Sequence, residues 1–247
     1  MKLSAHFSIL LLVATPLLAD GFTDLKAALI RMQDRDPMRS EVDLQLWRRK
    51  ADGGPSLLTQ GEGRAWIEDG PGGTSLRFPA QMLEQVQREG LEKMKQPDAP
   101  TPITDCMDEL GARHLVEYLA YGPVLLRNLE QCHLLGEEAS TMNGKPARML
   151  RFSVDPSLPA SIKKLLDRIE SDVRIWIEPD GTPVAADIRY TFKGSRFFIS
   201  FSGAHHEHLD FLARQQRLLV TRHDWEESYQ GFGQKTESHK LYKLREN

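Results

Sequence analysis

Residues 171–194 read SDVRIWIEPDGTPVAADIRYTFKG, and the reading of this stretch decides the fold. Val173, Ile175 and Ile177 alternate with polar neighbours, and after a turn Val184, Ala186, Ile188, Tyr190 and Phe192 alternate again. A period of two places these side chains on one side of each strand, so the pair shares one dry face and one mostly wet face. Pro179-Asp180-Gly181 fits a tight turn with glycine at the position that needs positive φ, which argues against a calcium loop. Two possibilities are open for the dry face: it meets a plain core, or it walls a cavity that holds something apolar.

The same period recurs on both sides of this hairpin. EVDLQLWRRK, residues 41–50, sets Val42, Leu44 and Leu46 on a dry side. The turn ADGGP leads to SLLTQGEGRAWIED, and GPGG leads to TSLRF, which together predict a three-strand meander. Gly61 and Gly63, two apart on one strand face, predict a bend or the close approach of another element. Asn143-Gly144 is a hairpin turn before PARMLRFSVD, and SRFFISFSG, QRLLVTRHDWEES and QKTESHKLYKL are three further strand candidates. About nine or ten antiparallel strands result.

Helical patterning is confined to four places. Phe22, Leu25, Ala28, Leu29 and Met32 share a face of one helix, with Asp20 or Thr23 as its cap. Residues 79–122 form a helical insertion. Its first helix carries the stripe Met82, Leu83, Val86, Leu91 and Met94, and a proline-rich linker separates it from CMDELGARHLVEYLAYG. The following VLLRNLEQCHLLGEEAST reads as strand, and 156–171 reads as a helix with Leu158, Ile162, Leu165, Leu166 and Ile169 in register. The expected class is α+β: a single antiparallel sheet curled into an unclosed β-barrel, with helices covering the concave face.

MKLSAHFSILLLVATPLLA, residues 1–19, has the form of a secretory signal: Lys2, an apolar run from Phe7 to Val13, and Ala19 before the expected cut. The run falls short of the roughly 20 residues of a membrane span. The expectation is therefore a soluble exported protein of a bacterial periplasm, with residues 20–247 as one domain. A net charge of −3 argues against nucleic acid as a partner. The chain has two cysteines, Cys106 and Cys132. In an oxidising compartment an even count predicts one disulfide, the alternative being two buried thiols.

ADGFTDLKAALIRMQ, EVDLQLW and QGEGRAWIED together resemble the opening of the periplasmic lipoprotein carrier LolA and its relatives. The matching residues are Asp24, Leu25, Lys26, Gly61, Gly63 and Trp66, within residues 19–78. IEPDGTPV is similar to a later strand pair of that family. The resemblance implies an unclosed antiparallel barrel with helices plugging its mouth, and an apolar cavity for acyl chains. Relatives of this fold bind lipids or peptides, or regulate envelope-stress signalling. The helical insertion and the cysteine pair go beyond the simple carrier pattern.

Catalytic patterns are weak by comparison. SGAHHEHLDF places His206 and His208 on one strand face and His205 and Glu207 on the other, with His223 able to join the first pair. Two strand histidines fall short of a zinc ligand set, so the reading is an exposed turn or strand end. G-x-S-x-G and HExxH are missing, and the glycine-rich stretches lack the strand-to-helix setting of a phosphate loop. The expected protein is non-catalytic and takes no metal or cofactor. It binds a lipid or lipoprotein acyl chain, with Val173, Ile175, Ile188, Tyr190, Phe192 and Trp66 as lining and Met82 and Val86 as an adaptable lid. The competing expectation is an interaction module that docks envelope proteins.

Overall fold

The computed structural model describes residues 20–33, 36–51, 56–70, 72–154, 164–196 and 199–246; residues 1–19, on which the secretory-signal expectation falls, lie outside them. The chain opens with α1 (Gly21–Arg31) and three strands, β1 (Met38–Ala51), β2 (Leu57–Gly70) and β3 (Gly73–Arg77). Four helices follow: α2 (Ala80–Lys95), α3 (Pro102–Glu109), α4 (Ala112–Leu119) and α5 (Tyr121–Leu129). Then come β4 (Cys132–Met142), β5 (Lys145–Val154), β6 (Leu166–Ile177), β7 (Pro183–Arg196), β8 (Ile199–Arg214), β9 (Arg217–Gly231) and β10 (Gln234–Glu246).

All ten strands form one antiparallel sheet in the order β3-β2-β1-β10-β9-β8-β7-β6-β5-β4. β3 and β4 are its two edges, so the sheet curls without closing. The opening hairpin is β6–β7, and Gly181 in its turn has φ +87°. Val173 pairs with Ile188 and Ile175 with Ala186, which puts the predicted dry residues side by side on the inner face.

The helices cover that face. α1 starts at Asp20, whose side chain accepts from the Phe22 amide, and it buries Leu25, Ala28 and Leu29. Its Asp24 pairs with Arg148 of β5 at 2.6 Å, tying helix to sheet. α3 lies against β2 where the two glycines fall. A Cβ on Gly61 would stand 2.5 Å from the Pro102 carbonyl oxygen, and one on Gly63 would stand 2.9 Å from Leu110 Cδ1. The glycines therefore mark the approach of a helix.

Three expectations need correction. The insertion holds four helices and runs to Leu129, because Gly111 takes an extended conformation and splits the second helix into α3 and α4. The first third of the stretch read as strand, residues 124–129, belongs to α5. Pro123 is tolerated in its first turn, and Tyr121, Leu125 and Leu129 repeat at helical spacing. The helix read over 156–171 gives way to strand at Leu166, where Ile169 pairs with Phe192; residues 155–163 lie outside the described residues.

The cysteines are the fourth correction: both are free, Cys106 buried and Cys132 half-buried. Cys106 sits on α3 over β2, near one end of the sheet, whereas Cys132 begins β4, the opposite edge. The curled sheet keeps these flanks apart.

Candidate functional site

Between α5 and the centre of the hairpin sheet lies a cavity of about 260 Å³. From α5 it is walled by Tyr121, Leu125 and Leu129, one helical stripe, together with Asn128. From the sheet it is walled by Val173 and Ile175 of β6, Ala186, Ile188 and Tyr190 of β7, and Leu209 and Phe211 of β8. Val154, Gln131 and Cys132 close the side toward the β4 edge. Tyr121 stacks on Phe211 with ring centroids 5.5 Å apart, fixing the wall where helix meets sheet. Asn128, Gln131, Cys132 and the two tyrosines bring polar groups to the cavity. The Cys132 thiol donates to the Asn128 carbonyl at 3.3 Å, and burial pushes that thiol and the Tyr190 hydroxyl above their ordinary pKa values.

The sequence-derived lining divides. Val173, Ile175, Ile188 and Tyr190 meet in this cavity. Phe192 lies one inward position further along β7, over Gly203 and 6.4 Å from the Phe201 ring, outside the lining. Trp66 points away: on β2 it alternates with the buried Ala65 and Ile67, and its indole donates to Glu41 Oε2 at 3.0 Å on the outer face. Met82 is buried against Gly63 at the other flank, in a pocket of about 280 Å³ with Gln85 and Ile103. Val86 is half-buried on α2 and lines neither space. Tyr121, Leu125, Leu129, Leu209 and Phe211 escaped the sequence reading. For the three α5 residues the signal was the i, i+4, i+8 repeat in 121–129; for Leu209 and Phe211 it was their spacing of two on β8.

Beside the cavity the inner face turns polar. Glu207 accepts from the Nε2 atoms of His205 and His223, and His223 Nδ1 lies 2.7 Å from the Tyr118 hydroxyl of α4. Thus His223 joins His205 and Glu207, not His206 and His208. The β8–β9 register sets it opposite the buried Leu209, which is what turns it inward. Burial raises the Glu207 carboxyl, but the hydrogen bonds and charges of the two imidazoles outweigh it and hold the group down at about 2. Next to this chain, Tyr242 donates to Glu109 at 3.1 Å and Lys240 pairs with Glu109 at 2.6 Å, so α3 is anchored electrostatically.

A larger cleft, about 1040 Å³, is lined by residues of β1, β2, β8, β9 and β10 with Ile103 of α3. Of the ionisable residues along it, His205 and Glu227 turn their side chains to this inner side, whereas His206, Glu226, Glu237 and His239 alternate to the outer face.

No family model matches the chain, and no curated protein matches it. Similar solved structures include the crystal structure of MucB in complex with MucA(peri), at 9% identity over 91% of this chain and 93% of that chain, with a TM-score of 0.18. So slight a superposition says nothing of what this chain binds.

Proposed function

We propose that this is an exported, non-catalytic binding protein that takes one acyl chain of a lipid or lipoprotein into the cavity between α5 and β6–β8. The observation that carries this reading is the apolar lining of that cavity, supplied by one stripe of α5 and by the dry faces of three strands. At about 260 Å³ it lies just under the roughly 300–1,000 Å³ of ordinary small-molecule pockets, a size for a single chain and not for a whole lipid. Each buried methylene contributes about 0.8 kcal/mol, so such a space holds a chain without polar specificity. No described helix is long and apolar enough to cross a membrane.

A second reading is docking of an envelope protein. It is favoured by α2, which buries Met82 and Glu89 only and leaves Leu83, Leu91 and Met94 at 46%, 54% and 83% exposure. Native mass spectrometry of the purified protein, followed by organic extraction, separates the two. A stoichiometric lipid that is lost in Ile188→Glu supports the carrier. A ligand-free mass with no uptake of added fatty acid removes it and leaves the docking module.

A further inference from the structure

The outer face of β8, β9 and β10 carries a row of ionisable side chains that acyl binding does not use. Strand pairing sets His206 opposite Glu226 and Glu226 opposite His239, so the three stand side by side on adjacent strands. Directly opposed residues keep their Cβ atoms about 4.5–5.5 Å apart, a span one ion can bridge. Asp224, two residues along β9, shares this face, and one donor atom each from Asp224, Glu226 and His239 lie within 4.8 Å of one another. His206 Nδ1 is 3.8 Å from Glu226 Oε2.

The other nitrogen of His206, Nε2, is 2.8 Å from Oδ2 of Asp187, a buried carboxylate on β7. An ionised carboxylate only accepts, so Nε2 carries a ring proton, and in the neutral imidazole that leaves Nδ1, on the Glu226 side, as the nitrogen with a lone pair for an ion. Metal-binding histidines are held in this way, with the distal N–H on a carboxylate.

We propose that His206, Glu226 and His239, with Asp224 as fourth ligand, bind a divalent transition-metal ion of the zinc class on the outer face of the sheet. Two imidazoles and two carboxylates suit zinc in its four-coordinate form. Magnesium and calcium, which take oxygen ligands, are disfavoured by the two nitrogens. His239 Nε2 and Asp224 Oδ1 are 2.6 Å apart, so the ion displaces the proton they share and the pair opens around it. Access is direct: the side chains of His206, Glu226, His239 and Asp224 are 36%, 62%, 39% and 23% exposed.

Calorimetric titration of Zn²⁺ into the untagged protein tests the site. One ion binds per chain. Asp187→Asn weakens binding about 10–100-fold, and His206→Ala or His239→Ala weakens it further. His133→Ala, on the exposed edge strand, leaves it unchanged. Co²⁺ in place of Zn²⁺ shows the visible absorption of a four-coordinate centre, a readout independent of stability, and thermal melts confirm that each variant folds. Lack of Zn²⁺ binding, or binding that His206→Ala and His239→Ala both leave intact, overturns the proposal. The site lies on the face opposite the acyl cavity, so Ile188→Glu leaves the Zn²⁺ isotherm unaltered, and either proposal can fail alone.

Discussion

Glu207 shows how one inward carboxylate sets acid stability. Its folded pKa of about 2 lies below its ordinary 4.5 because His205 and His223 outweigh the effect of burial. A depressed carboxyl contributes stability that is full above the unfolded pKa and is lost as pH falls through the folded one. The loss therefore runs from about pH 4.5 down to about 2. It amounts to about 3 kcal/mol. Denaturant melts across that range are expected to show the Glu207→Gln protein with a flatter acid limb than the parent. Arg217 is a second such residue, 1% exposed, donating to the Leu119 and Asp36 carbonyls and lying 3.5 Å from Asp69. Arg217→Ala strands a partly buried carboxylate and two carbonyls, and urea unfolding is expected to show a loss of about 3–5 kcal/mol. Alternation alone separated His205 and Glu207 from His206 and His208. Which pair His223 joins depended on the β8–β9 register, which a single strand does not carry.

Among the elements that cover the sheet, α2 is held by few buried side chains. α2 buries Met82 and Glu89, and Glu89 reaches the first turn of α3, accepting from the Ile103 and Thr104 amides at 3.0 and 2.8 Å and from the Thr104 hydroxyl at 2.8 Å. A carboxylate on these orphan amides caps α3 and meets its positive end. Glu89→Ala is expected to cost about 2 kcal/mol, with faster amide hydrogen exchange in α2 and α3 and none in β6–β8. Mass-resolved exchange reads that contrast directly. Gly61→Ala would push its Cβ against the Pro102 carbonyl, displacing α3 at a cost of about 1–3 kcal/mol in urea unfolding. The two glycines were legible in the sequence as an approach site. Glu89 was not, because an acid beside Gly90 on an otherwise solvated helix looks the same whether or not another helix starts above it.

Across the whole molecule, the open sheet keeps its two edges and the two cysteines on separate flanks. Intact mass after alkylation is expected to show two free thiols. Cys132 should label faster than Cys106, whose thiol burial and neighbouring carboxylates push up to about 12. A reductant should leave the melting temperature unchanged. A disulfide in the purified protein would require the β2 and β4 flanks to come together, and would contradict this arrangement.

By itself the sequence determined the sheet: alternation in 41–50, 171–177 and 184–192, with glycine-bearing turns between, dictates antiparallel strands sharing one dry face, and local chain geometry suffices for that. It also placed Val173, Ile175, Ile188 and Tyr190 together, since they are near neighbours on one hairpin. Tertiary structure alone decided that α5 stands opposite them, that Trp66 faces outward, that the cysteines lie apart, and that His206, Glu226 and His239 form a row. Each of these depends on pairing or packing between segments distant along the chain, where a shift of one residue in register reverses every face.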